Sequence, residues 1–309
     1  MRKPSIRSAI TLSLVMAAGG ILSASGQTAA LAGSPFCDPG VAPGLDSGTA
    51  GLARGGDGTR EPDLGQVATD LPASAKGKAG RNFSATVPTY FHVVTDGATG
   101  ALTDAQVAEQ IDVLNTTFGG GEGGDDTGFT FDLVAITRTD NAKWFTASSG
   151  GTGEHDMKQT LRQGGRDALN LYSTTAGKLL GWAYLPEIMD KPGQEFMDGV
   201  VFNWETVPGA SDTFAGRYDL GETATHEVGH WLNLEHTFFG GCATKGDFVA
   251  DTPAQKTPTS GCPAGKDTCK EPGLDPIHNY MDYSYDSCYT EFTPGQTQRM
   301  RDAWLYYRA

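Results

Sequence analysis

Apolar residues recur at helical spacing in only a few parts of this 309-residue chain, and short alternating or continuous apolar runs lie between them. Val107, Ile111, Leu114 and Phe118 return every three or four residues behind Thr103 and Gln106, a pair able to form a capping box. That pattern predicts a helix over residues 103–118. Residues 89–94, bounded by Asp96 and Gly97, read as a strand, and residues 129–136 alternate as a second one. A second amphipathic helix is predicted over residues 154–163. Short apolar runs follow at 168–172, 181–185 and 199–202. Strands interleaved with helices imply a twisted sheet with helices packed on it. Beyond Gly240 the periodicity fades until a last helix predicted at residues 294–306. No internal repeat is present.

The first residues follow a different logic. Arg2, Lys3 and Arg7 precede an apolar run over residues 9–22, which suits the core of a signal peptide and is too short to span a bilayer. Ala30 and Ala32 place cleavage after residue 32, with Gly26 as the alternative. The expected product is secreted, with no membrane attachment once the signal is removed. Residues 33–83 are rich in Gly, Ala, Asp and Pro without sustained periodicity, and read as a propeptide or flexible leader. The folded domain is therefore expected over residues 84–309.

Composition narrows the partners. With 38% apolar residues the chain can build a core, and 23 Lys plus Arg against 37 Asp plus Glu give a formal charge of −14. Such a balance argues against nucleic acid, because no basic surplus exists to displace phosphate counterions. Five cysteines leave one thiol without an intramolecular partner if the others pair. Asn115-Thr116-Thr117 is a formal glycosylation sequon.

The segment Thr225-His226-Glu227-Val228-Gly229-His230-Trp231-Leu232-Asn233-Leu234-Glu235-His236 carries the chemistry. His226 and His230 are four apart, so on a helix both imidazoles leave one face and can share a cation, with Glu227 beside them. His236 joins them only if the helix stops, since six more helical residues would carry it about 9 Å along the axis. Asn233 stands where that turn is needed, and Asn is the non-glycine residue most tolerant of left-handed backbone. Three neutral imidazoles leave a fourth position on zinc for water, whose pKa falls toward about 7, and Glu227 is placed to take its proton.

The chain at this point resembles the metzincin clan of zinc metallopeptidases, whose extended motif is H-E-x-x-H-x-x-G-x-x-H/D, and within it the pappalysin (cytophagalysin) family. The residues that carry the resemblance are 226–238 (HEVGHWLNLEHTF), 246–253 (GDFVADTP), 278–284 (HNYMDYS), Phe292-Thr293-Pro294-Gly295-Gln296 and Arg299-Met300. Asn233 in place of Gly is the one departure in the metal motif. The resemblance assigns Met281 to a Met-turn beneath the imidazoles, and Tyr283 to the stabilisation of the oxyanion of a tetrahedral intermediate. It places Asp286 at the base of the S1′ pocket, favouring a basic residue just after the scissile bond.

The resemblance also bears on the cysteines. Spacing permits three pairings of Cys242, Cys262, Cys269 and Cys288. Family members with similar spacing pair first with third and second with fourth, which implies Cys242 with Cys269 and Cys262 with Cys288. Cys37, left over in the leader, is a candidate fourth zinc ligand that keeps a zymogen silent. Activation would then follow a cut among Arg60, Lys76, Lys78 and Arg81. Asp247, Asp251 and Thr252 gather hard oxygen ligands in a loop region where related proteases bind structural calcium, although no EF-hand spacing is present.

The expected architecture is an α+β, metzincin-like metallopeptidase. Its upper subdomain, residues 84–232, holds a twisted mixed sheet and two long helices. Its lower subdomain, residues 233–309, is irregular and disulfide-linked, with a C-terminal helix. The expected function is a secreted zinc endopeptidase acting on proteins or peptides, made as a zymogen. One rival is a thermolysin-like enzyme whose third ligand is a downstream Glu. The other is a secreted zinc-containing binding module without proteolytic activity. Oligomeric state is not readable from the sequence.

Overall fold

The computed structural model describes residues 70–309 apart from 178, 244 and 245. The expected signal peptide, residues 33–69 of the expected leader, Arg60 and Cys37 lie outside the described residues. No helix among those described is long and apolar enough to cross a membrane.

In chain order the elements are β1 (Ala85–Thr95), α1 (Asp104–Phe118), β2 (Phe129–Asp140), α2 (Ala142–Phe145), α3 (Thr152–Leu161), β3 (Leu169–Thr174), β4 (Gly181–Ala183), β5 (Val200–Asn203), α4 (Glu222–Trp231) and α5 (Pro294–Tyr307). Helix α1 starts as its sequence predicts: the Thr103 hydroxyl accepts from the Gln106 N–H, and the Gln106 side chain accepts from the Thr103 N–H at 2.9 Å. Helix α2 has no counterpart in the periodicity. It is a single turn set by Asn141, whose side chain accepts from the N–H groups of Lys143 and Trp144.

The five strands lie in the order β2-β1-β3-β5-β4, parallel except for β4, which runs antiparallel to β5 at the edge. The class is α+β with a mixed sheet. Every residue of β3 and β5 is buried, as expected of strands covered on both faces. The period of two sorts their side chains. Val200 and Phe202 join a core with Phe91, Leu114, Phe118, Val228 and Trp231, whereas Val201 faces a second core with Val94, Phe145, Met157 and Trp182.

Buried polar groups fix the elements around the cleft. Glu154 and Lys158, both fully buried on α3, pair at 2.9 Å. Glu154 accepts from Trp182 Nε1 at 2.7 Å and Lys158 donates to the carbonyls of Met197 and Gly199, which ties α3 to the β4 edge and to the entry of β5. A buried charge pair is tolerated only when its remaining hydrogen-bonding capacity is met, and here it is met by Trp182 of β4 and by backbone carbonyls just before β5. At the end of α4, Asp198 accepts from Trp231 Nε1 at 3.1 Å and from Arg308 at 2.9 Å, while the Arg308 guanidinium lies 3.5 Å from the Trp231 ring centroid.

Among the described residues between 233 and 293 the helical structure is one short turn, residues 286–288. Side chains supply the order instead. Disulfides join Cys242 to Cys269 and Cys262 to Cys288. Asp282, fully buried, accepts from the N–H groups of Thr259 (2.9 Å) and Tyr283 (2.8 Å) and from Gln255 Nε2 (2.9 Å).

Residues 70–83, expected to belong to a flexible leader, pack on α5. Leu71 and Ala75 are buried against Ala303 and Tyr307. Asp302 accepts three successive backbone N–H groups, from Gly77 (2.6 Å), Lys78 (2.8 Å) and Ala79 (2.8 Å).

Candidate metal centre and cleft

Helix α4 is buried along its whole length, so its two histidines face protein and cleft rather than bulk water. The helix ends where the spacing of the motif requires. Asn233 adopts φ +76°, its N–H donates to the His230 carbonyl at 2.8 Å, and the Leu234 N–H reaches back to the Gly229 carbonyl at 2.9 Å. These two bonds form a Schellman closure with Asn in the place usually taken by Gly. The chain then reverses and returns His236 to the helix.

The three imidazoles converge. His230 Nε2 lies 3.1 Å from His226 Nε2 and 3.1 Å from His236 Nε2. His226 Nδ1 is 2.6 Å from the Tyr280 carbonyl, and His230 Nδ1 is 2.7 Å from the Leu234 carbonyl. A carbonyl only accepts, so both Nδ1 atoms carry the proton and both Nε2 lone pairs point into the shared space. Lone pairs gathered so closely repel one another unless a cation lies between them, and neutral imidazoles oriented through Nδ1–H to carbonyls are the donor set zinc takes. The residues fit that metal.

Met281 is fully buried under α4. A β-carbon at Gly229 would collide with the Met281 sulfur, so glycine between the two helical histidines is what lets the thioether approach α4 so closely. The Met281 carbonyl accepts from the Thr237 N–H at 3.2 Å, tying this turn to the segment that carries His236. The Tyr283 ring lies 4.9 Å from that of His236 and 5.7 Å from that of His226. Phe238, the last residue of the matching segment and given no role by it, stacks on His236 at 4.7 Å with an interplanar angle of 8° and meets Tyr283 edge-on.

Asp286 is buried, and its Oδ2 accepts from the Leu220 N–H at 2.9 Å. It lines a cavity of about 390 Å³ together with Glu109, Asp112, Glu122 and Glu222. Glu122 accepts from the Tyr280 hydroxyl at 2.7 Å, and burial, followed by the carboxylates of Glu222, Glu122 and Glu291, pushes that phenol above its usual range. The gathering of α1 carboxylates around Asp286 is a tertiary feature, since Glu109 and Asp112 are remote from it in sequence.

The three candidate calcium residues separate. Asp247 and Thr252 line one cavity of about 260 Å³, and burial pushes the Asp247 carboxyl up to about 7. Asp251 faces the start of α5, where its carboxylate accepts from the Thr293 hydroxyl and the Gly295 N–H, each at 2.8 Å. The sequon residue Asn115 uses its amide to brace α1 on β2, accepting from the Phe131 N–H (2.8 Å) and donating to its carbonyl (3.1 Å).

Comparison with known proteins converges on the same chemistry. Residues 170–304 match the peptidase family described as Pregnancy-associated plasma protein-A. An extracellular metalloprotease of Arthroderma benhamiae is 48% identical over 229 residues, covering 72% of this chain and 74% of that one. One from Verticillium alfalfae is 43% identical over 262 residues, covering 81% and 90%. Among solved structures, mirolysin in complex with a small compound aligns with a TM-score of 0.62 at 32% identity, over 73% of this chain and 94% of that one. Mature mirolysin of Tannerella forsythia in complex with a cleaved peptide gives 0.59 at 32%, over 71% and 91%.

Proposed function

This chain belongs to the pregnancy-associated plasma protein-A family of metallopeptidases, and from that premise we propose a secreted zinc endopeptidase in which His226, His230 and His236 hold the metal. The observation that carries the assignment of ligands is the convergence of three Nε2 atoms, two of them with Nδ1 directed at a backbone carbonyl. Zinc, when bound, polarises a carbonyl and lowers the pKa of a water toward about 7.

The chain's own residues do the rest. Glu227 accepts the proton of the attacking water and passes it to the leaving amine. The Tyr283 hydroxyl donates to the oxyanion as it develops. The Tyr280 carbonyl orients His226 and the Leu234 carbonyl orients His230, while Met281 packs beneath α4 at Gly229. Proteins or peptides are the substrates. Preference for a basic residue just after the scissile bond is supported by the carboxylates around Asp286, because a guanidinium or ammonium entering them gains charge-assisted hydrogen bonds.

We further propose that residues 1–32 are removed as a signal and that the enzyme is made as a zymogen silenced by Cys37. Cys37 supplies a thiolate, a ligand well suited to zinc. Processing falls on the N-terminal side of Asp70, because Lys76 is paired with Asp70 at 2.5 Å and the Lys78 N–H is held by Asp302. Of the four basic candidates, Arg60 is the one upstream of that packed segment. A full-length Cys37→Ala precursor as latent as the wild type would remove the thiol from this account. Calcium is proposed only for the Asp247–Thr252 cavity. A rise in melting temperature with added calcium, absent in Asp247→Asn, tests it.

The decisive experiment is casein hydrolysis by Glu227→Ala after removal of the leader. Loss of hydrolysis with zinc content unchanged supports the enzyme, whereas full zinc occupancy of the wild type without proteolysis favours the binding module. Zinc retained by His236→Ala would point to the thermolysin-like alternative.

A further inference from the structure

Glu227 lies in the zinc motif, but the element against which its side chain rests does not. Gly181 opens β4, the edge strand paired with β5. A β-carbon at Gly181 would stand 2.8 Å from both Cγ and Oε1 of Glu227 and 3.0 Å from the Val201 carbonyl oxygen. Gly181 is not among the residues of positive φ, so backbone conformation is not the reason for glycine here. The reason is space: the strand backbone lies flush against the glutamate side chain.

The strand cannot retreat. Trp182 is fully buried and held by Glu154 at 2.7 Å, Gly181 pairs with Phe202, and the Leu180 carbonyl accepts from the Asn203 N–H at 2.7 Å. The yielding partner in any collision is therefore the flexible side chain of Glu227. We infer that Gly181 is a positioning residue for Glu227, its missing side chain setting where the carboxylate sits beside the metal ligands. The catalytic consequence rests on the reading of Glu227 given above, and the contact itself does not.

Gly181→Ala, Glu227→Ala and the double variant test this in the zinc-loaded, processed protein. For Gly181→Ala, kcat on a peptide substrate should fall by about ten- to a hundredfold, the scale of an ångström's misplacement at a reacting group. KM should stay within about twofold and zinc content unchanged, because uniform binding is not touched. Melting temperature gives a readout independent of proteolysis. Gly181→Ala should lower it when Glu227 is present and lower it markedly less in the Glu227→Ala background, where Cγ and Oε1 are gone. Additive melting effects, wild-type kcat in Gly181→Ala, or loss of zinc from that variant would each overturn the inference. Hydrolysis surviving in Glu227→Ala would overturn the functional reading and the catalytic half of this inference, while a coupled melting cycle would leave the contact standing.

Discussion

Arg299 Nε donates to the carbonyl of Asn233 at 2.7 Å, so the residue that turns the chain between His230 and His236 is held by a helix 66 positions downstream. Asp70 in turn meets Arg299 Nη1 at 3.2 Å. The return of His236 to the metal centre is thus braced from α5, and α5 is braced by the segment that precedes β1.

Replacing Arg299 with Met should leave the Asn233 carbonyl without this donor, at a cost of about 1–3 kcal/mol for a buried polar group. The larger effect falls on His236, whose approach depends on that turn. Zinc should leave Arg299→Met faster than wild type when a chelator is added, followed by a chromogenic zinc indicator. An unchanged release rate would show that the Schellman closure alone holds the turn.

Asn233 itself can be tested at the backbone. A branched residue at φ +76° pays the left-handed strain in full, so Asn233→Val should lower stability by about 1–2 kcal/mol. Asn233→Gly relieves that strain but loses the hydrogen bond from Asn233 Nδ2 to Glu187 at 3.1 Å, and the two effects nearly cancel. Denaturant melts of both variants give the comparison, and a Val variant as stable as the Gly variant would contradict it.

Asp286→Ala removes one carboxylate from the cavity it shares with Glu109, Asp112, Glu122 and Glu222. Cleavage of a peptide library should shift away from basic residues immediately after the scissile bond. Because four carboxylates remain, the preference should weaken rather than reverse. A library profile identical to wild type would separate this cavity from substrate selection.

His92 gives the fold an acid limit. It is fully buried on β1, stacked on Tyr172 at 4.7 Å, and its Nε2 lies 2.9 Å from Asn170 Oδ1. Burial lowers its pKa to about 4, partly opposed by the Asn170 bond. With the folded value below the unfolded 6.5, the unfolded chain binds the proton first as pH falls. Stability from this group is complete above about 6.5 and is lost between there and about 4, at about 1.4 kcal/mol per unit of pH. Chemical denaturation across that window should show a shallower acid decline in His92→Gln than in wild type. Parallel curves would assign the acid sensitivity elsewhere.

Asp302 should be the anchor of the segment before β1. Asp302→Ala leaves the N–H groups of Gly77, Lys78 and Ala79 without their acceptor. Amide exchange should rise at those three positions while β1 and β3 stay protected. Unchanged exchange at 77–79 would mean that the burial of Leu71 and Ala75 holds the segment unaided.

Local chemistry was legible in the sequence because it acts over a few residues. The capping box at Thr103, the shared face of His226 and His230, and the need for a turn at Asn233 all follow from helical geometry, and the structure places each accordingly. The short turn α2 escaped because four residues carry no periodicity, although Asn141 was the available sign of its start. The packing of residues 70–83 escaped for a related reason: small residues such as Ala75 and Ala79 bury well against a helix without producing an apolar pattern.

By itself, then, the sequence determined which residue types could gather around zinc and which helix would present the first two, because spacing of four on a helix leaves little choice. Only the tertiary structure decided what surrounds them. The antiparallel turn of β4 at the sheet edge brings Gly181 onto Glu227, α5 brings Arg299 to Asn233, and α1 brings Glu109 and Asp112 to Asp286. These juxtapositions bring together residues dozens to well over a hundred positions apart. They are set by how layers pack and strands order, and no local pattern records that.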